Sequence, residues 1–292
     1  MSERSDLLVD AAELDTILRA EAGLPAGSPR TRVLDIRSSL AGPPGYDQYL
    51  EGHLPGAVYA DLETELSEHG PATLGRHPLP SAATLTAAAQ RWGLNPGDSV
   101  VAYDNMGNLF AARLWWQLRD AGFANVRLLD GGLQAWTAAG LPTATDEVSP
   151  EPGTIILEPG RLPRIPFDAV ADFARDRLLF DARAAERYAG ESELVDPQAG
   201  HIPGARSLPT VGNLDADGFF LGDAQLRERF DSAGIGEDAK PSTVGVYCGS
   251  GVTAAHTLFS LALVGREAAL YVGSWSQWSN HPELPIATGH TP

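Results

Sequence analysis

Cys248 is the sole cysteine of the chain and stands in Val246-Tyr247-Cys248-Gly249-Ser250-Gly251-Val252-Thr253. The apolar run Thr243 to Tyr247 predicts a short buried strand, and the apolar-periodic run Ala254 to Val264 predicts a helix. The thiol therefore falls at a strand end, on a glycine-rich turn that feeds a helix N-terminus. Backbone N–H groups of such a turn can converge on one sulfur, and the helix dipole favours negative charge there. Both effects favour the nucleophilic thiolate. A lone cysteine is more often a buried packing residue. Gly249 and Gly251 argue against that here, because a strand continuing through a core needs no glycines.

Three chemistries compete for such a thiol. A Cys-x5-Arg phosphatase needs an arginine six positions on to grip phosphoryl oxygens bidentately, and that position is Ala254. A papain-like Cys–His pair has seven histidines to draw on. His53 and His201, however, sit at matching places of an internal repeat, and one of those halves has no cysteine, so ordering of a turn explains both. His256 falls inside the helix after the loop, where packing explains it. The third chemistry is sulfur transfer, in which the thiolate takes a sulfane sulfur as a persulfide and passes it to a thiol or to cyanide. Loop amides would hold both anions, so neither a metal nor an organic cofactor is needed. Ser250 and Thr253 add hydroxyl donors, and Thr253 is placed to cap the helix.

The elements around this loop come in duplicate. Val33 to Arg37 matches Leu179 to Arg183, Gly52 to Ala57 matches Gly200 to Ala205, Val100 to Asp104 matches Val244 to Cys248, and Gly132 to Trp136 matches Ser274 to Trp278. All four recur about 145 residues later, in the same order, which is the period of a duplicated domain and not of a solenoid. Each half reads as a strand ending in Asp-x-Arg, a loop with His-x-Pro-Gly-Ala, a short strand, a helix (Ala82 to Trp92; Asp223 to Ala233), a strand, a helix (Leu109 to Ala121; Ala254 to Val264) and a last strand (Val126 to Leu129; Ala269 to Val272). Alternating strands and helices predict an α/β fold, two tandem domains each with a mostly parallel sheet covered by helices on both faces. The expected boundaries are an N-terminal non-catalytic domain at 1–143, a linker at 144–165 within the Pro-, Gly- and acid-rich stretch Leu141 to Pro166, and a catalytic domain at 166–292. Asp104 stands where the second half has Cys248, so one domain catalyses, the other supports it, and the cleft between them is the expected site.

Composition bounds the partners. The chain has 292 residues, 43% of them apolar, and a formal net charge of −17, which disfavours nucleic acid and anionic membranes. An anionic substrate must then be held by local cations or backbone donors. One cysteine excludes an intramolecular disulfide and fits a reducing compartment. Met1 to Asp10 has no basic or apolar leader character, and no apolar run is long enough to span a bilayer, so a cytoplasmic location is expected.

Asp-x-Arg, His-x-Pro-Gly-Ala, the cysteine loop and Gly273-Ser274-Trp275 together resemble the two-domain rhodanese family of sulfurtransferases over essentially the whole chain. Cys248-Gly249-Ser250-Gly251-Val252-Thr253 is most similar to the 3-mercaptopyruvate form; the thiosulfate form carries Arg and Lys after the cysteine, where this chain has Gly249 and Ser250. Asp104 to Phe110 and Arg113 to Trp116 also look like the first domain of mercaptopyruvate enzymes. The resemblance implies a persulfide on Cys248, substrate contacts from Gly249, Gly251, Val252 and Thr253, and a carboxylate-holding Arg187. It also implies an Asp–His–Ser relay, to which His53 and Ser250 match while Ser39 to Gly45 offers no matching acid. Its implied partners are a small sulfur donor and an acceptor that is a thiol, cyanide or a thioredoxin-like protein. Thiosulfate:cyanide sulfurtransferase and a non-catalytic persulfide carrier are the alternatives. One departure stands out: the loop Gly190 to Gly200, where mercaptopyruvate enzymes carry a second substrate arginine, has none and instead has Glu191, Glu193 and Asp196. Arg187 is therefore expected to hold the carboxylate alone or nearly so, with Arg113 as the other candidate.

Overall fold

The computed structural model describes residues 4–25, 27–39 and 42–292. Met1 to Glu3 of the polar N-terminal stretch, and Leu40 and Ala41 of the stretch searched for the relay acid, lie outside the described residues. The first half contains β1 (Leu8–Val9), α1 (Ala11–Glu21), β2 (Thr31–Asp35), α2 (Gly45–Glu51), β3 (Val58–Tyr59), α3 (Ala82–Arg91), β4 (Ser99–Tyr103), α4 (Ala111–Asp120), β5 (Val126–Leu129) and α5 (Gly132–Ala138). The second contains α6 (Val170–Asp176), β6 (Leu178–Asp181), α7 (Ala185–Ala189), β7 (Arg206–Ser207), α8 (Asp223–Ser232), β8 (Val244–Tyr247), α9 (Thr253–Leu263), β9 (Ala269–Leu270) and α10 (Ser274–Trp278). Both sheets are parallel, with strand orders β1-β5-β4-β2-β3 and β7-β6-β8-β9. The strands of the two halves correspond in order, β5-β4-β2-β3 to β9-β8-β6-β7. Where β1 pairs with β5 in the first, residue Arg164 pairs with Leu270 at the corresponding edge of the second.

The repeated motifs turn out to be scaffold. Arg37 donates bidentately to Asp35 and to Gly52 O, and Arg183 does the same to Asp181 and Gly200 O, so each Asp-x-Arg ties a strand end to its His-x-Pro-Gly loop. These buried pairs persist because the geometry is bidentate and the remaining donors are used. His53 Nδ1 lies 2.8 Å from Tyr49 O, and its ring stacks on Tyr49 with centroids 3.9 Å apart. His201 repeats this on Tyr188 at 2.8 Å and 3.7 Å.

Helices α4 and α9, each following the diagnostic loop of its half, pack against each other across the domain boundary, with Trp115 edge-on to Phe259 at 4.9 Å. Both are buried on nearly every side: α9 is apolar over most of its surface, whereas α4 buries Arg113, Gln117 and Asp120 alongside its apolar residues. One hydrophobic cluster runs through both halves as a result, from Leu34 and Val100 to Val246 and Phe259. The segment 144–165 straps the halves. Gly153 and Ile155 donate to Gln90 O and Leu94 O, Asp120 accepts from Gly160 and Leu162, and Ile165 donates to Leu270 O. Among the described residues no helix is long and apolar enough to cross a membrane.

Candidate active site

Cys248 follows β8 and lies at the floor of a cleft between the halves, 1% exposed. Two elements shape its loop. The amides of Trp275 and Ser276 in α10 donate to Cys248 O and Gly249 O, and the Cys248 amide donates to Ser274 Oγ at 3.1 Å. Gly251 adopts φ +75°, and its amide donates to Cys248 Sγ at 3.2 Å. A Cβ there would sit 2.4 Å from Val272 O, so only glycine allows this turn. Thr253 opens α9 as its first residue. The N-cap is Val252, with no side-chain cap bond, which corrects the capping role expected for Thr253. Its side chain lines the cleft instead.

The cavity above Cys248 measures about 260 Å³, below the roughly 300 Å³ of drug-sized pockets. It suits a three-carbon acid or an inorganic oxyanion. Gly249, Ser250, Val252, Thr253 and Arg187 line it, whereas Gly251 braces the loop from behind. His53 does not line it: its ring is fully buried, stacked on Tyr49 and bonded through Nδ1 to Tyr49 O, so its assignment to the relay is corrected.

The histidine at the site is His77. Its Nδ1 lies 2.7 Å from Ser250 Oγ, and its Nε2 lies 3.0 Å from Glu63 Oε1. A carboxylate only accepts, so Nε2 carries a proton, and in the neutral imidazole Nδ1 then accepts from the Ser250 hydroxyl. The hydrogen bond from His77 holds the Glu63 carboxyl below its ordinary range, against the upward push of burial. Ser250, His77 and Glu63 thus form a continuous hydrogen-bonded chain that starts two residues from the thiol.

Three cations approach the loop from different sides. Arg113 on α4 is wholly buried; its Nη1 donates to Gly251 O at 3.1 Å and its Nη2 to His77 O at 2.9 Å. Burial pulls its guanidinium down to about 10, opposed by the Cys248 sulfur. It pins the thiol loop and the histidine to one another and does not line the cavity. Arg187 on α7 donates to Glu193 at 2.8 and 2.9 Å and to Asp196 at 3.1 Å. Arg76, from the first half, is ion-paired with Asp196 and also lines the cavity. Burial pushes the Asp196 carboxyl up. It pushes Glu193 up too, but the amides of Asp196 and Val195 and the Arg187 guanidinium outweigh it and leave Glu193 below its usual range. Arg187 is therefore not the lone cation of the cleft.

His77, Glu63 and Arg76 escaped the reading of the sequence because they lie where the repeat loses its register. Ala57 to Ala82 is longer than its counterpart Ala205 to Asp223, so nothing in the second half marks these three positions. A short 3-10 turn at Ala72–Leu74 docks this segment on α10: the Arg76 amide donates to Ser276 Oγ at 3.1 Å, and Gln277 donates to Thr73 O at 3.2 Å. A histidine that breaks the repeat, unlike His53 and His201, was the available signal. Among the described residues, no group of three His, Cys, Asp or Glu side chains is arranged to hold a metal ion.

Comparison with known proteins agrees with this geometry. The family described as "Rhodanese-like domain" matches twice, at residues 18–139 and 168–281. The chain is 44% identical to "Putative thiosulfate sulfurtransferase SseB" of Mycobacterium tuberculosis, covering 99% of each chain. It is also 44% identical to "Probable 3-mercaptopyruvate sulfurtransferase" of Pseudomonas aeruginosa, covering 96% of this chain and 100% of that one. The solved structure of 3-mercaptopyruvate sulfurtransferase from Leishmania major is similar with a TM-score of 0.81 and 31% identity, over 94% of this chain and 74% of that one. Two parallel-sheet domains, a loop-borne cysteine at their junction and these relatives together make the chain a two-domain member of the rhodanese family, a sulfurtransferase of the mercaptopyruvate and thiosulfate class.

Proposed function

We propose that the chain moves a sulfane sulfur from 3-mercaptopyruvate to a thiol or cyanide through a persulfide on Cys248. The observation that carries this reading is the chain Ser250–His77–Glu63 beside the thiol. Attack of the Cys248 thiolate on the donor's sulfur breaks its C–S bond. The bonding pair leaves on carbon as the enolate of pyruvate, and the donor's S–H proton must travel to that carbon. Ser250 and His77 are arranged to accept this proton and return it, with Glu63 stabilising the imidazolium. Thiosulfate needs no such transfer, since sulfite departs with the S–S bonding pair and no proton changes place. In the second half-reaction cyanide or a thiolate attacks the outer sulfur, and Cys248 leaves as thiolate. Gly251 N–H, which already donates to Sγ, supports both sulfur anions. Thiosulfate is the second reading, favoured by the two guanidiniums near Gly249 that supply cations the loop itself lacks.

The test is a side-by-side assay with both donors, using cyanide and a reduced dithiol protein as acceptors. The expected results are a higher kcat/KM for mercaptopyruvate, a mass gain of one sulfur atom on donor treatment, and loss of both gain and turnover in Cys248→Ser. Turnover retained in Cys248→Ser would end the reading.

A further inference from the structure

Every arginine that lines the Cys248 cavity is paired with an acid. Arg183 is spent on Asp181, and Arg76 and Arg187 on Asp196 and Glu193. His77 is joined to Glu63. On the other elements packed around the thiol, Ser250, Thr253 and Ser274 offer only hydroxyls, and burial keeps Tyr247, Tyr271 and His256 neutral. Arg113 differs from all of these. It is wholly buried, and both of its acceptors are uncharged: Nη1 donates to Gly251 O and Nη2 to His77 O, while Nε has no partner. A Cβ built on Gly251 would lie 3.3 Å from its Nη1, and the amide of that same glycine lies 3.2 Å from Cys248 Sγ. The guanidinium is thus packed on the residue that holds the sulfur, outside the lining of the cavity. Among the described residues no carboxylate pairs with it, and the anion that acts on it is the sulfur of Cys248; Arg164, which opposes it, is itself paired with Asp120. A buried charge without a counter-ion is costly, and such groups cluster where function uses their field. The step from Asp104 to Cys248 is 248 − 104 = 144 positions, and the same step takes Arg113 to Thr257. The duplication therefore supplies this charge to one of its two loops and not to the other.

We propose that Arg113 of the non-catalytic domain is the fixed counter-charge of the Cys248 sulfur, and that it stabilises the thiolate through the back of the loop. This rests on the reading of Cys248 as the thiol that accepts sulfur. Arg113 touches neither donor nor sulfur, so it acts as a positioning and electrostatic residue: it pins Gly251, whose amide holds Sγ, and places a charge that solvent does not screen beside it. The thiol and its counter-charge come from different domains. The reactivity of Cys248 is therefore set by the closed contact between α4 and α9, and the supporting half contributes to the chemistry without facing the substrate.

Alkylation of Cys248 by neutral iodoacetamide tests this on the full chain without any sulfur donor. Rates are measured at about pH 7 and about pH 9.5 for wild type, Arg113→Met, Arg113→Gln and Arg113→Lys. In the Met and Gln variants the rate at the lower pH, divided by that at the higher, should fall about tenfold, the weight of one nearby opposite charge. Arg113→Lys should stay within about threefold of wild type, because it keeps the charge while losing the fork that bridges two carbonyls. The ratio cancels a change in access to the thiol, so a loosened loop does not mimic the effect. A ratio within about twofold of wild type in both neutral variants, or an equal fall in Arg113→Lys, would overturn the role of the charge and leave Arg113 as a pin between loop and histidine. Should the neutral variants not fold, wild type decides between low salt and about 1 M KCl. A buried guanidinium is screened far less than Arg76 and Arg187, which are about a quarter exposed, so the ratio should hold within about twofold; a fivefold fall would assign the charge to those two instead. Failure of the sulfurtransferase reading would show separately, as no persulfide mass gain on a wild type whose alkylation depends on Arg113 as stated.

Discussion

His53 and His77 belong to one domain and have opposite fates. His53 is buried against Tyr49 and bonded to backbone, whereas His77 joins Ser250 to Glu63 at the cleft. His77→Asn should lower kcat on mercaptopyruvate about 100-fold, the usual weight of one general acid–base group. It should leave thiosulfate turnover far less affected. His53→Ala should do the reverse, lowering unfolding free energy by roughly 2–4 kcal/mol through a lost buried hydrogen bond and a cavity, with kcat kept; urea titration and steady-state kinetics separate the two. Arg187→Ala should raise KM for mercaptopyruvate about tenfold, and Arg187→Lys should raise it less, because charge survives while the planar fork does not. Cys248, Ser250, Val252, Thr253 and Arg187 were legible in the sequence because local motifs place them just after a strand, on a loop or at the start of the helix that follows. Glu63, Arg76 and His77 were not, because the path of their segment is set by docking onto α10, which no local pattern encodes.

At the scale of elements, strand ends and helix starts fell within about two residues of their expected places, since periodicity and turn residues dictate them. What the pattern did not reveal is that α4 and α9 face each other. The apolar run of α9 and the paired tryptophans of α4 mark both as buried but not against what. His256 shows what that contact carries. It lies wholly inside the interface, with Thr210 Oγ1 at 2.8 Å from Nδ1 and the first domain's Gly107 O at 3.1 Å from Nε2. Burial drives its imidazole down from 6.5 to about 3. Above about pH 6.5 both folded and unfolded states hold it neutral, and no penalty arises. As pH falls further the unfolded state binds a proton that the folded state refuses, and stability drops until about pH 3. At pH 5 this amounts to about 2 kcal/mol. Denaturant midpoints at pH 7 and 5 check it: His256→Gln should flatten the slope between them. His201, which burial also lowers, adds to the slope in the same direction.

The whole molecule is a duplication whose copies have divided their labour. Residues that recur in both halves (Asp35 and Asp181, Arg37 and Arg183, His53 and His201) hold strands to loops. Those that differ (Cys248 against Asp104, and the unmatched Glu63, Arg76 and His77) face the cleft or, in Asp104, substitute a carboxylate for the thiol. Asp104 accepts from the amides of Met106, Asn108, Phe110 and Ala111 at 2.7–3.1 Å, so the first domain's loop is filled by its own carboxyl group. Because one apolar cluster crosses the boundary, calorimetry should record a single cooperative transition; two resolved transitions would mean that the halves fold independently.

The strap of residues 144–165 has a genetic corollary. It is hydrogen-bonded along its length to both halves, so each cleft draws its thiol and its histidine from the same polypeptide. Two defective chains, one Cys248→Ser and the other His77→Asn, should therefore fail to complement each other when co-expressed. Recovered turnover in that mixture would reveal an exchange of halves between chains.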